Sequence, residues 1–227
     1  GKKAAVVSFL DGSAKKNLNP NDCHKVGIQA AKLHLITKKL IVKRENKLSV
    51  NSWRKIYKKV QKDCSRIHLN LTKTIEKNLD EIENNWPKNI PSGIIHADLF
   101  PDNIFFKDDK LTGIIDFYFS CYDFYVFEIA ICLNALCFEG QKENLSFNVT
   151  KAKKFIDGYS SIKKLTEEEK KSLKILCQGA AMRFLLTRVF DYLNLTEGAL
   201  VKIKDPIEYL KRLEFHNSVK DHQDYFF

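Results

Sequence analysis

Few folds accommodate the run from Ile95 to Phe117, which reads Ile-His-Ala-Asp-Leu-Phe-Pro-Asp-Asn, then a hairpin pattern, then Ile-Ile-Asp-Phe. Ile104–Phe106 and Leu111–Phe117 are predicted strands, joined by Lys107-Asp108-Asp109-Lys110 as a tight link. Asn103 leads into the first strand and Asp116 ends the second. Antiparallel pairing would bring both side chains to one end of the hairpin, near a polar loop carrying Asp98. A carboxylate, an amide and a second carboxylate on a loop and a strand end are what a magnesium-dependent phosphoryl transfer requires.

The segments around this stretch are helical by pattern. Lys3–Leu10 is a predicted strand closed by the turn residues Asp11-Gly12. Asn19-Pro20-Asn21-Asp22 signals a helix start, with Asn19 as N-cap and Pro20 in the first turn. His34, toward the far end of that helix, is expected to be a packed side chain rather than a reactive one. After a polar link at Arg44–Ser52 come a short helix and a longer one. On the longer one Ile67, Leu71, Ile75, Leu79, Ile82 and Trp86 form a single apolar stripe ended by Pro87 and Pro91. Gly93–His96 is a predicted buried strand. Beyond the hairpin, helices are predicted over Phe124–Phe138 and Phe147–Ile162, and from the capping box at Thr166 toward Leu193. A last helix spans Pro206–Phe215 with Asp205 as its N-cap. The expected class is therefore α+β, mostly α.

Composition narrows the function. With 227 residues, 44% of them hydrophobic, the chain has material for a sizeable core. The apolar run Val126–Phe138 is too short to cross a bilayer and is interrupted by Glu128 and Asn134, so no membrane association is expected. The net charge of +10 is spread along the chain, with no dense basic tract or interleaved aromatic motif. A solvated surface is expected, not a nucleic-acid groove. The six cysteines lack the close spacing of a zinc site or disulfide framework, which favours free buried thiols in a reducing cytoplasm.

In a phosphoryl transfer, one group accepts or orients the hydroxyl proton and others hold the metal on the phosphates. Magnesium takes hard oxygen ligands and keeps several waters, so one amide and one carboxylate suffice. Asp98 is the expected base, Asn103 and Asp116 the expected Mg2+ ligands, and His96 a brace for the loop.

At these residues the chain resembles the catalytic core of the aminoglycoside phosphotransferase-like kinases, relatives of the protein kinases. Ile115–Cys121, Ile129–Ala135, Arg183–Arg188 and Lys204–Leu210 resemble the homoserine kinase branch of that group. Val7–Gly12 is similar to the branch's strand between two lobes. The resemblance implies residues 1–14 as that linker strand and 15–227 as the large helical catalytic lobe. It also implies a missing N-terminal lobe that carries the nucleotide-covering loop and a phosphate-binding lysine. A chain without that lobe is expected to bind ATP poorly.

The implied reaction moves the terminal phosphate of ATP to the hydroxyl of L-homoserine, a step toward threonine. Ser8, Phe9 and Leu10 would offer backbone groups to adenine above an apolar floor of Phe105 and Ile115. Arg183 and Arg188 would meet the substrate carboxylate. Asp123 or Glu128 would meet the ammonium, Glu128 standing where the family usually has Asp. Two other readings stand beside this one. The first is a kinase of the same fold for another small alcohol, such as an aminoglycoside or choline. The second is a non-catalytic binding lobe.

Overall fold

The computed structural model describes residues 7–41, 43–140, 144–195 and 203–226. Helices dominate, as the sequence predicts. The first, α1 (Pro20–Thr37), begins at a complete capping box: Asn19 accepts from the Asp22 amide, and the Asp22 carboxylate accepts from the Asn19 amide. It packs along α5 (Val149–Ile162) with almost no gap between the backbones. A Cβ placed on Gly27 would lie 2.1 Å from the Phe155 carbonyl oxygen, and one on Gly158 2.1 Å from that of His24. Side chains there would push the helices apart.

Between them in sequence lie α2 (Val50–Val60), a 3-10 turn over Gln61–Arg66, and α3 (Leu71–Asn85). The apolar stripe predicted from Ile67 to Trp86 is longer than this helix. Ile67 closes the 3-10 turn and Trp86 follows the last helical residue with an extended backbone, turned toward the prolines. Leu71, Ile75, Leu79 and Ile82 are fully buried. Trp86 meets Trp53 and Phe127 edge to face, joining α3 to α2 and to α4 (Tyr125–Leu136).

The long helix α6 (Glu167–Leu193) is the spine. Its capping box at Thr166 and Glu169 forms as expected, and its middle is buried from Leu173 to Val189 along one face or more. At 27 residues it runs about 40 Å. Against it rest α2, α3, α4 and α7 (Ile207–Ser218). The start of α7 departs slightly from expectation. Pro206 occupies the cap position with helical angles, and Asp205, one residue earlier, accepts the Ile207 amide at 2.9 Å.

Among the described residues, three small antiparallel sheets decorate this helical body. In the first, β1 (Ser13–Ala14) pairs with β3 (Ile104–Lys107), which pairs with β4 (Lys110–Ile114). The β3–β4 link has φ 47° at Asp108 and 58° at Asp109, the two left-handed residues a tight hairpin needs. In the second, β2 (Ser92–Ile95) pairs with β5 (Cys121–Phe124). The third joins β6 (Phe138–Glu139) to β7 (Ser146–Phe147).

Two sequence expectations change here. The strand predicted over Lys3–Leu10 is not found in its described part: Val7–Asp11 forms no strand with any described residue, and the pairing falls on Ser13–Ala14. Residues 3–6 lie outside the described residues. The second hairpin strand stops at Ile114 rather than Phe117, because Asp116 adopts φ 61°, ψ 60°, which no strand continues.

All six cysteines are free and buried. Among the described residues, no helix is long and apolar enough to cross a membrane.

Candidate active site

The strand β2 delivers the chain at Ile95 into the core, and the next residues form a loop held on several sides. Ala97 sits at φ 65°, a conformation that costs an alanine free energy and persists only where neighbours enforce it. Two buried charges do so. Glu128, in the first turn of α4, accepts the amides of His96 and of Ala97 on Oε2, the latter at 3.0 Å. From the other side Arg183 Nη1 donates to the Ala97 carbonyl at 2.6 Å. Glu128 is 0% exposed and Arg183 2%. Burial pushes the Glu128 carboxyl up, while the neighbouring His96 and Arg183 side chains and the two amide bonds pull it back.

The loop then turns Asp98 outward. Its amide donates to His96 Nδ1 at 3.2 Å, and the other ring nitrogen, Nε2, lies 2.9 Å from the Ile115 carbonyl. A carbonyl only accepts, so Nε2 carries the proton and Nδ1 is the acceptor. The Asp98 carbonyl receives the Asn103 amide nitrogen at 2.8 Å, closing the loop on itself. Backbone pairing of Ile115 N to Asn103 O at 3.0 Å then brings the hairpin end alongside. Asn103 and Asp116 thus belong to adjacent segments at one end of the hairpin, as their spacing predicts.

Asp98 is half-buried. Burial raises its carboxyl above the usual range, and the nearby Arg183 guanidinium offsets part of that rise. Asp116 is exposed, and its Oδ1 receives only a long bond, 3.4 Å from the Tyr118 amide.

Beside Asp98 opens a cavity of about 490 Å³ between the loop, α6 and the segment before α7. Arg183, Arg188, Asp191 and Lys204 charge its wall, with Phe100 and Phe184 as apolar lining. Residues from distant parts of the chain therefore meet beside Asp98.

A model of the phosphotransferase enzyme family matches residues 1–161. The chain belongs to that family. The homoserine kinase of Nitrobacter hamburgensis is 45% identical over 99% of this chain and 68% of its own length. That of Xanthobacter autotrophicus is 46% identical over 99% of the chain and 69% of its own length. These relatives place this phosphotransferase on the homoserine kinase branch. It spans about two thirds of their length. Among solved structures, a choline kinase from Cryptosporidium parvum superimposes with TM-score 0.64 at 17% identity, covering 92% of this chain and 68% of that one, which shows the shared fold.

The remaining sequence candidates of this phosphotransferase divide. Leu10 packs over Gly113, where a Cβ would sit 2.6 Å from its side chain, and the Asp11 carbonyl accepts from Thr112 Oγ1 at 2.6 Å. Leu10 therefore lies beside the hairpin that bears Phe105, while Ser8 and Phe9 are exposed, as is Ile115 just past the end of β4. Arg183 and Arg188 both line the cavity, although each has a structural bond as well: Arg183 to Ala97, and Arg188 Nη1 to the Asp205 carbonyl and Glu208, both at 2.9 Å.

The two acids expected at a substrate ammonium lie elsewhere. Glu128 is sealed beneath the loop with its Oε2 on backbone amides. Asp123 uses one oxygen on Asn46 Nδ2 at 2.6 Å and the other on the Phe124 amide at 2.8 Å. Neither lines the cavity. Their charge suggested ligand contact, but burial required backbone and amide partners instead. Asp191 and Lys204 do line it, and neither is among the candidates named from the sequence. The signal was present in the i, i+3 spacing of Arg188 and Asp191 on one helix face.

Proposed function

We propose that the whole protein phosphorylates the side-chain hydroxyl of L-homoserine with ATP as donor. The observation that carries this reading is the cavity at Asp98, whose wall bears Arg183, Arg188 and Lys204. Three cations against two acids, Asp98 and Asp191, suit an acceptor that brings its own carboxylate. The names of the relatives agree with that chemistry.

In this reading Asp98 accepts a hydrogen bond from the substrate hydroxyl and takes its proton as that oxygen bonds to the terminal phosphorus of ATP and the bond from that phosphorus to the bridging oxygen breaks, releasing ADP. Its raised carboxyl favours proton acceptance, since a stronger base serves the step better. His96 holds the loop through its two ring nitrogens and does not exchange protons. Ser8–Leu10 and Phe105 would flank adenine, with Ile115 below it.

The residues present fit a magnesium ion. With Asn103 Nδ2 given to the Asp98 carbonyl, its side-chain oxygen remains available as a ligand. Asp116 is exposed, without an ion pair among the described residues, and holds only one long bond. These are hard oxygen donors, and Mg2+ completes its shell with water and phosphate, so the lack of a three-acid cluster among the described residues is no obstacle. Asn103 and Asp116 would hold the ion, which when bound offsets phosphate charge during transfer. The buried free thiols suit a reducing compartment such as the cytoplasm.

A phosphotransfer assay on the full gene product with L-homoserine, choline and an aminoglycoside tests the proposal. Turnover of L-homoserine with the others near background is expected. Turnover of another alcohol without L-homoserine overturns it.

A further inference from the structure

The cavity wall is charged with both signs, and among the described residues the Asp191 carboxylate stands without a partner. Thr187, Arg188, Asp191 and Asn194 fall on one face at the end of α6 and all line the cavity. Arg188, one turn before Asp191, is the nearest counter-charge on the helix, but its Nη1 is drawn to Glu208 and the Asp205 carbonyl, both at 2.9 Å. Lys204 Nζ lies 3.8 Å from Asp102 Oδ2 and 5.2 Å from the centre of the Phe100 ring. Asp191 has neither hydrogen bond nor ion pair among the described residues, and its partial burial raises its carboxyl with no nearby charge to offset the rise. A carboxylate at a cavity mouth with no cation of its own fits one supplied by a ligand. Asp123 has both oxygens on protein groups, and Glu128, sealed beneath the loop with Oε2 on two backbone amides, does not line the cavity.

We propose that Asp191 receives the α-ammonium of the acceptor substrate while Arg188 and Lys204 receive its carboxylate, so that the cavity selects a zwitterion whose hydroxyl reaches Asp98. This rests on the activity proposed above and names the group that reads one end of its substrate. A hydroxy acid without the ammonium leaves Asp191 unmatched. A cationic alcohol without the carboxylate leaves Arg188 and Lys204 unmatched. Selection then comes from charges left without partners as much as from those satisfied.

The test uses the full gene product, the substitution Asp191→Asn, and two probes: L-homoserine, and 4-hydroxybutanoate as substrate or competitor. Because Asp191, only partly shielded at the cavity mouth, bonds to no described residue, the variant should melt with the wild type. Its KM for L-homoserine should rise about tenfold or more with kcat nearly kept, the scale of one charge-assisted hydrogen bond. Its weakening toward 4-hydroxybutanoate should stay below about threefold, because that probe has no ammonium to lose. An unchanged KM for L-homoserine, a loss carried by kcat alone, or equal weakening toward both probes overturns the proposal while leaving the homoserine activity intact. A wild type that phosphorylates other alcohols but never L-homoserine overturns both.

Discussion

His96 Nε2 lies 2.9 Å from the Ile115 carbonyl while Nδ1, 3.2 Å away, accepts the amide of Asp98. One imidazole therefore ties the loop that presents Asp98 to the segment that presents Asp116. Both ring nitrogens are committed, so the side chain has no site left for a travelling proton. Replacing it with Gln should lower kcat by about ten- to a hundredfold, the effect of misplacing groups that must be held in register. The acid limb of the pH–rate profile should stay where the wild type has it. A limb that vanished with His96 would make the imidazole itself the base.

Asp98 should set that limb. Its carboxyl is raised by burial and held back by Arg183, so activity should fall on acidification at a pH above the usual carboxylate range. Asp98→Asn should cut kcat by about a hundredfold or more, as loss of a general base does, with little change in melting. Arg183→Met removes the cation that favours the charged form, so the carboxyl rises further. The limb should then move to higher pH, a direction that mere loosening of the loop does not produce.

The Ala97 clamp makes a separate prediction about folding. Glu128→Ala leaves the buried amides of His96 and Ala97 without an acceptor, at a cost of about 1–3 kcal/mol for such a group. For a chain of this size each kilocalorie lowers the melting temperature by about 2–4 °C. Glycine accepts φ 65° freely where alanine does not, so Ala97→Gly should recover part of the loss in the Glu128→Ala background. Thermal melts of the two single variants and the double variant check this, and strictly additive losses would count against the clamp.

What could be read ahead of the structure was local chemistry. Asn19, Pro20 and Asp22, or Thr166 and Glu169, act on amides within one turn, so their pattern is enough to start a helix. Asp108 and Asp109 likewise contain their own turn. The trio Asp98, Asn103 and Asp116 is visible because one loop and hairpin, the 23 residues Ile95–Phe117, hold all of it. Long-range partners were hidden. The strand Cys121–Phe124 is not legible because its pairing depends on Ser92–Ile95, and the apolar run Lys3–Leu10 suggests a strand although no described residue pairs with Val7–Leu10. Glu128 and Asp123 looked like ligand acids, and only the folded chain shows the amides that claim them. Asp191 is the reverse: unremarkable on a helix, and distinctive only once the cavity forms around it.

Two buried histidines govern the acid stability of the fold. His34 Nδ1 lies 2.8 Å from the Tyr159 hydroxyl, and His216 bridges the Tyr225 hydroxyl at 3.0 Å and Asn134 Oδ1 at 3.2 Å. Burial lowers both to about 3, with Lys163 adding to the effect on His34 and Arg212 on His216. In the unfolded chain each titrates near its ordinary 6.5. Between those values the unfolded state binds more protons, so stability rises with pH and is lost as pH falls from about 6.5 toward 3. Each histidine contributes a slope of up to about 1.4 kcal/mol per pH unit there. His216→Asn gives up the Tyr225 and Asn134 bonds and should be less stable at pH 7. Its stability should nevertheless decline less steeply below pH 6.5, because one of the two proton-linked groups is gone. Urea titrations at several pH values measure both quantities, and a slope equal to the wild type's would remove His216 from the acid response.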